Sequence, residues 1–276
     1  MIELEPQAYK QVLPFYMAQK KSLFPLILAV IQNKQAGRVF VDDILNPSSV
    51  LVIHKFGFMQ VFGVEGADRF DADLADFFSI KREDVPSYLL WYSPPQRWQL
   101  KLDRLENGLV RKRERARFVY YEQSPDLWQD VSAGYDVQLL DKVLLKKTDD
   151  FNLNISSRFW SSVDDFLKNG VGVCLLQDNQ IVSLCYSACI VNGMAEVDVI
   201  TRDGYQGQGL ATIVAQRFIQ ECVRKKIMPT WDCFMNNTAS VKLAEKLGFS
   251  ETETYFFYSF NIPIVFLTSN DIGSVS

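Results

Sequence analysis

The stretch that decides the fold is "VDVITRDGYQGQGLATIVAQRF", Val197 to Phe218. It opens as an alternating apolar run, meets the glycines Gly204, Gly207 and Gly209, and turns at once into a helical pattern. Apolar residues at Leu210, Ile213, Val214, Phe218, Ile219 and Cys222 recur near every 3.6 positions, so the spacing predicts a helix over Gly209 to Lys225. Glycines between a strand and a helix remove side chains and let a ligand approach the backbone. The unpaired N–H groups of a first helical turn and the positive end of the helix dipole favour an anion there, and a phosphate suits both. The loop lacks a Gly-Lys-Ser/Thr ending, so it is no nucleotide-triphosphate loop. It also lacks G-x-G-x-x-G, and the strand before it belongs to an antiparallel meander, which argues against a dinucleotide fold.

Outward from the loop, "GVGVCLLQDNQIVSLCYSACIVNGMAEVDVIT" reads as three strands with turns at "QDNQ" and "VNGM". Helical pattern precedes it in "SSRFWSSVDDFLKNG", with Ser156 or Ser157 as N-cap and Gly170 as the stop. After the long helix, Pro229 opens a short strand, "TWDCF"; "SVKLAEKLGF" is a second helix closed by Gly248; "ETETYFFYSFNI" is a final strand.

The first half echoes the second. "GRVFVDD…NPSSVLVIHKFGFMQVFG" resembles a hairpin pair, "YLLWYSPPQRWQLKL" sets a strand-borne Trp before a helix, and "RERARFVYYEQ" resembles the final strand. Val171 lies 133 residues after Arg38, Trp231 140 after Trp91, and Phe256 138 after Phe118. Near-constant offsets point to an internal duplication. The Pro, Ser and Gly content of Ser124 to Asp136 fits a joint between halves, so the expected domains are 1–125 and 137–276.

The 276 residues are 48% hydrophobic, with net charge −4, enough for one large domain or for two of ordinary size, each with its own core. An acidic chain without a basic block gives no electrostatic reason to expect nucleic acid or an anionic membrane as a partner. The apolar run Leu23 to Ile31, broken by Pro25, is too short to span a bilayer, and "MIELEPQ" shows no secretory signal. A cytoplasmic protein is expected. Five cysteines in apolar contexts, Cys174, Cys185, Cys189, Cys222 and Cys233, fit no zinc spacing and read as buried free thiols. His54, the only histidine, lies in a strand-like run, which leaves no basis for a Ser–His or Cys–His centre. No metal site is expected.

Gln206, Gly209 and Ala211 form Q-x-x-G-x-A. This resembles the acetyl-CoA pyrophosphate loop of the GCN5-related N-acetyltransferases, the GNAT family. Asn237 followed by "LAEKLGF" at Leu243 to Phe249 is a second family mark, and with the strand order the likeness covers about residues 137 to 260. "EVDVIT", "PTWDC" and "NTASVKLAEKLGF" look more narrowly like the subfamily of the zwittermicin A resistance acetyltransferases. The resemblance implies a mixed, mostly antiparallel sheet flanked by helices, in two tandem halves of which the N-terminal one is degenerate. It implies that the backbone of Gln206, Gly207, Gln208, Gly209, Leu210 and Ala211, with Thr212, holds the pyrophosphate of acetyl-CoA. Val199, Ile200 and Thr201 would offer backbone pairing to the pantetheine arm, and Asn237 with Ser240 would touch its lower part. One departure stands out: where many members carry a Tyr that protonates the departing thiolate, this chain has Ala244. A thiol of pKa about 8.5 is a tolerable leaving group without a dedicated acid.

The acceptor side needs a base, since a primary amine of pKa about 10 is mostly protonated in neutral water. Glu196 and Asp198 are two apart on one strand and share a face, so either can serve as base or attract a cationic amine. The alternative is a solvated face, or pairing with Arg202. Asp232 is a weaker candidate. Trp160, Tyr186, Trp231, Tyr255 and Tyr258 read as core or pocket wall. The expected activity is acetyl transfer from acetyl-CoA to a small-molecule amine by direct attack, with the N-terminal half as substrate wall or structural partner. The rival from another class is a non-catalytic acyl-CoA-binding or sensing module, which Ala244 favours.

Overall fold

The computed structural model describes residues 1–19, 23–63, 68–105, 108–121, 133–151 and 154–265. Most of the joint expected at Ser124 to Asp136 lies outside them. The chain forms two compact units, Met1–Glu114 with Tyr255–Ser276, and Arg115–Thr254.

In the first unit the strands are β1 (Ile2–Glu3), β2 (Gly37–Val41), β3 (Ser49–His54), β4 (Phe58–Gly63) and β5 (Tyr88–Tyr92). The end of β12 (Phe249–Asn261) completes the order β1-β2-β3-β4-β5-β12. All neighbours are antiparallel except β4 and β5. The helices are α1 (Leu13–Met17), α2 (Pro25–Ile31), α3 (Asp68–Ser79) and α4 (Gln96–Arg104). Every residue of α2 is buried, which explains the apolar run around Pro25: it is a core helix. On α3 and α4, Phe70, Leu74, Phe78, Trp98 and Leu102 pack on Ile53, Met59, Leu89, Trp91 and Phe260.

In the second unit the strands are β6 (Val110–Tyr120), of which residues from Arg115 belong here, β7 (Asp136–Leu139), β8 (Gly172–Gln177), β9 (Gln180–Val191), β10 (Met194–Thr201) and β11 (Met228–Phe234). The order is β7-β8-β9-β10-β11-β6, again antiparallel except for the pair β10 and β11. The helices are α5 (Lys142–Lys147), α6 (Ile155–Arg158), α7 (Val163–Asn169), α8 (Leu210–Arg224) and α9 (Thr238–Lys246). Val214, Phe218 and Cys222 of α8 pack on Val173, Leu175, Cys185, Ala195 and Val197. The hairpin turns carry positive φ at Asp178 and Asn179, and at Asn192 and Gly193, which matches the right-handed twist of the strands they join.

The two units thus share strand order, strand directions and the placement of two helices: α3 and α8 precede the parallel strand, and α4 and α9 follow it. Trp91 and Trp231 occupy β5 and β11, and Phe118 and Phe256 occupy β6 and β12, so the offsets do mark equivalent strands. Two expectations are corrected. The N-cap of the helix before the meander is Ser162, whose Oγ accepts from Asp165 N at 3.0 Å, and a separate short helix occupies Ile155–Arg158. A fourth meander strand, β7, pairs with β8. The cysteines among the described residues are buried and free, as read from the sequence. Trp160, Tyr186, Trp231, Tyr255 and Tyr258 are all buried.

Candidate active site

The site in the second unit begins with a fork in the sheet. Parallel strands β10 and β11 pair only at Met194↔Met228, Ala195↔Pro229 and Glu196↔Thr230. Both strands continue, to Thr201 and Phe234, without further pairing to each other among the described residues. The edge of β10 beyond Glu196 is therefore unpaired by a strand on this side and can receive an extended ligand as an added strand.

The glycine loop closes one end of the fork. Gly207 has φ +75° and Gly209, the N-cap of α8, has φ +81°, a left-handed backbone that glycine adopts without steric cost. A Cβ at Gly207 would meet no protein atom within 4 Å, so its bare side faces open space. The first intrahelical bonds run from Thr212 N and Ile213 N to Gly209 O, and no side chain caps the helix. The preceding amides of Leu210 and Ala211 are left to meet a ligand at the positive end of a 15-residue helix.

Loop and fork together bound a cleft of about 540 Å³. Of the residues expected to bind the cofactor, it brings together Val199, Ile200, Thr201, Gln206, Gly207, Gly209, Leu210, Ala211, Thr212, Asn237 and Ser240. Gln208 is not among its walls; its Nε2 donates to Gly204 O at 3.1 Å. Asn237 caps α9, its Oδ1 accepting from Ser240 N at 3.2 Å, and Trp231 Nε1 donates to Ser240 Oγ at 3.0 Å. The cleft also includes Lys242 and Lys246, which sequence reasoning missed. Their i, i+4 spacing in "SVKLAEKLGF" puts both ammonium groups on one helix face and was the signal available. Ala244 is fully buried, so no side chain there reaches a leaving group.

In the first unit the equivalent helix ends are tied to each other. Asp71 of α3 pairs with the Arg97 guanidinium of α4 and accepts from Trp98 Nε1 at 2.9 Å. The corresponding ends of α8 and α9 stand apart as cleft walls.

On the sheet face opposite α8, Glu196 and Asp198 are brought together as the alternation predicts, but the face is not solvated. Glu196 is 8% exposed, and Thr230 Oγ1 lies 2.9 Å from its Oε2. Burial, reinforced by the neighbouring Asp232 charge, pushes the Glu196 carboxyl up to about 7; Arg117, the Thr230 hydrogen bond and Arg115 pull the other way. Asp198 is half-buried and accepts from the Tyr186 hydroxyl at 2.6 Å. Burial raises its carboxyl too, against the Tyr186 hydrogen bond and the Arg158 charge. Arg202 pairs with neither; its Nε donates to Ile181 O and its guanidinium lies over Phe151.

The Asp232 side chain is wholly buried between two guanidiniums, with Arg115 Nε at 2.5 Å from Oδ1 and Arg117 Nη2 at 3.3 Å from Oδ2. Both of its oxygens are engaged, so it is poorly placed to take a proton from a ligand. His54, in the first unit, is fully buried against Gln35, and burial holds its imidazole down at about 3.

A parallel-strand fork, a glycine anion nest and an Asn-capped second helix define the acyl-CoA-binding class of α/β fold. A family model described as GNAT acetyltransferase matches residues 18–258, and the chain belongs to that family of acetyl-CoA-dependent acyltransferases. Over 232 residues it is 28% identical to an uncharacterised N-acetyltransferase of Bacillus subtilis, YdfB, covering 84% of this chain and 88% of the relative. In fold it is similar to a GCN5-related N-acetyltransferase-like protein of Streptococcus suis, at a TM-score of 0.69 and 23% identity, over 92% of this chain and 99% of that one. A tandem GNAT protein from the clavulanic acid biosynthesis pathway matches at a TM-score of 0.66 and 11% identity, over 94% and 97%. Among the described residues no helix is long and apolar enough to cross a membrane, and no cluster of side chains could hold a metal ion.

Proposed function

We propose that this protein transfers an acetyl group from acetyl-CoA to the primary amine of a small molecule, in the cytoplasm, with Glu196 as the base. The observation that carries this is the position of Glu196, a buried carboxyl poised near neutral pH on the last pair before the strands part. Such a group takes up a proton far more readily than an ordinary carboxylate, which suits it to accept one from an ammonium and release it again.

The residues present fit the cofactor. The open side of Gly207 and the left-handed turn at Gly209, with the Leu210 and Ala211 amides, suit a pyrophosphate; Lys242 and Lys246 supply positive charge, and Val199 to Thr201 lie on a strand edge that β11 no longer pairs with. When bound, acetyl-CoA supplies the acyl group as a reactive thioester. Asp198, held by Tyr186 and less buried than Glu196, attracts the ammonium form of the acceptor. Direct attack is favoured because burial pushes the thiols of Cys174 and Cys222 up to about 12, and those of Cys185 and Cys233 up as well. None is then a thiolate nucleophile. Catalysis belongs to the second unit, which holds the bulk of the expected domain 137–276; the first unit, which lacks Q-x-x-G-x-A, is the degenerate copy. The narrower likeness to zwittermicin A resistance acetyltransferases supports a small amine acceptor.

Thiol release from acetyl-CoA, measured against polyamines, aminoglycosides, amino acids and peptides, tests the reading. Amine-dependent release supports it. Tight binding of acetyl-CoA without turnover on any acceptor would favour the non-catalytic binding module that Ala244 suggests.

A further inference from the structure

The hydroxyl of Thr230 lies within hydrogen-bond reach of two acceptors, Glu196 Oε2 at 2.9 Å and the Ala195 carbonyl at 3.1 Å. Thr230 is 3% exposed, so its hydroxyl is turned away from bulk solvent. A hydroxyl has one hydrogen and two lone pairs, so it can donate to only one of these groups at a time. We infer that Thr230 is a positioning residue whose hydroxyl turns with each proton gained or lost by Glu196. This rests on the reading of Glu196 as the base.

With Glu196 ionised, the Thr230 hydrogen points at Oε2. When an ammonium gives its proton to Glu196, the new carboxyl O–H donates to Thr230 Oγ1, and the Thr230 hydrogen turns to the Ala195 carbonyl. One proton moves from nitrogen to Glu196; the Thr230 proton stays on its own oxygen. Both protonation states of a buried carboxyl are thereby satisfied, where a fixed donor would satisfy only the charged one and a fixed acceptor only the neutral one. The charged groups around Glu196 are already committed: Asp232 of β11 to Arg115 and Arg117 of β6, and Asp198 of its own strand to Tyr186 of β9. Thr230 is the neutral partner that can follow the proton.

The test is an infrared titration of the full chain, following the protonated-carboxyl band that Glu196→Gln abolishes. A charge-assisted hydrogen bond is the stronger of the two Thr230 makes, so Thr230→Val should raise the midpoint by about one pH unit. The band should also move to higher frequency, since the carboxyl O–H loses its acceptor. Thr230→Ser should restore both, and the acid limb of the kcat profile should follow. An unchanged midpoint and frequency in Thr230→Val and in Thr230→Ala, or no restoration in Thr230→Ser, overturns the proposal. Full activity in Glu196→Gln would remove Glu196 as the base while the infrared result still decides whether Thr230 follows its proton.

Discussion

The Tyr186 hydroxyl donates to Asp198 Oδ2 at 2.6 Å across the β9–β10 pair. Burial pushes the Tyr186 phenol far up, so it stays a donor throughout the working pH range. Asp198 is thereby held in one orientation, with the Val199 backbone N–H as a further donor to it. Asp198→Asn should raise the acceptor KM, on the order of tenfold, and leave the shape of the pH profile alone. Tyr186→Phe should act in the same direction but more weakly. A change in kcat alone, with acceptor KM unmoved, would assign Asp198 to chemistry instead.

The cofactor loop makes a second prediction. Gly209→Glu puts a carboxylate where the pyrophosphate is expected and should weaken acetyl-CoA binding by about 100-fold or more, since the like charges repel at a desolvated site. Because φ at Gly209 is +81°, any L side chain also strains the backbone by about 1 kcal/mol. Gly207→Ala, with φ +75° and open space around the new Cβ, is the control for strain without charge. Calorimetric titration that finds wild-type affinity in Gly209→Glu would remove the loop from the cofactor site.

The second half was legible because its punctuation is local. Asn-Gly and Asp-Asn turns and a glycine loop each act within a few residues, and the helices between them carry strong 3.6-residue patterns. β7 was not, because four residues, half of them polar, carry no pattern that separates an edge strand from a loop. Ser162 was passed over in favour of Ser156 and Ser157 because several serines precede one apolar run. In the site, the loop and the shared face of Glu196 and Asp198 could be read. The burial of that face could not, because its guanidiniums come from β6, with Arg115 some 117 residues from Asp232. Lys242 and Lys246 escaped because a helix face with two lysines is ordinarily just a wet surface.

Those lysines are open to a simple measurement. Both are exposed on one face of α9, lining the cleft. Replacing either by Ala should weaken coenzyme A by a few-fold, and the deficit should shrink as salt rises, since exposed charges are screened within about 10 Å at 0.1 M. A comparison with dephospho-coenzyme A locates the phosphate they serve. Equal affinities at low salt for wild type and the double Ala variant would remove both from the site.

Asp232 should behave as a structural ion. Removing one partner from a buried ion cluster leaves the others uncompensated and typically costs about 3 to 5 kcal/mol. Asp232→Asn should therefore lower the denaturation midpoint substantially, while the folded fraction keeps its pH–rate profile. A fully stable Asp232→Asn that has lost its rate would instead make Asp232 the base.

Glu196 ties stability to catalysis. Its carboxyl rises from an ordinary 4.5 to about 7 on folding. Between those values the folded chain binds more protons than the unfolded one, so the stabilising contribution of the neutral acid is complete below about pH 4.5 and is lost as pH climbs toward 7. Integrated over that window the loss is on the order of 3 kcal/mol. Glu196→Gln keeps the shape and removes the titration. It should match wild type in denaturant unfolding at pH 4.5 and exceed it by up to that amount at pH 8. The same variant should lose about 10² to 10⁴ in kcat at pH 7, with acetyl-CoA affinity nearly unchanged. The deficit should narrow toward pH 9, where solvent supplies deprotonated amine. In wild type, kcat should fall below about pH 7 as Glu196 is protonated, and that limb should vanish in Glu196→Gln. Should Glu196→Gln gain stability at pH 8 yet keep full rate from pH 6 to 9, the carboxyl is buried and costly to ionise as described, but the proton leaves the acceptor by another route.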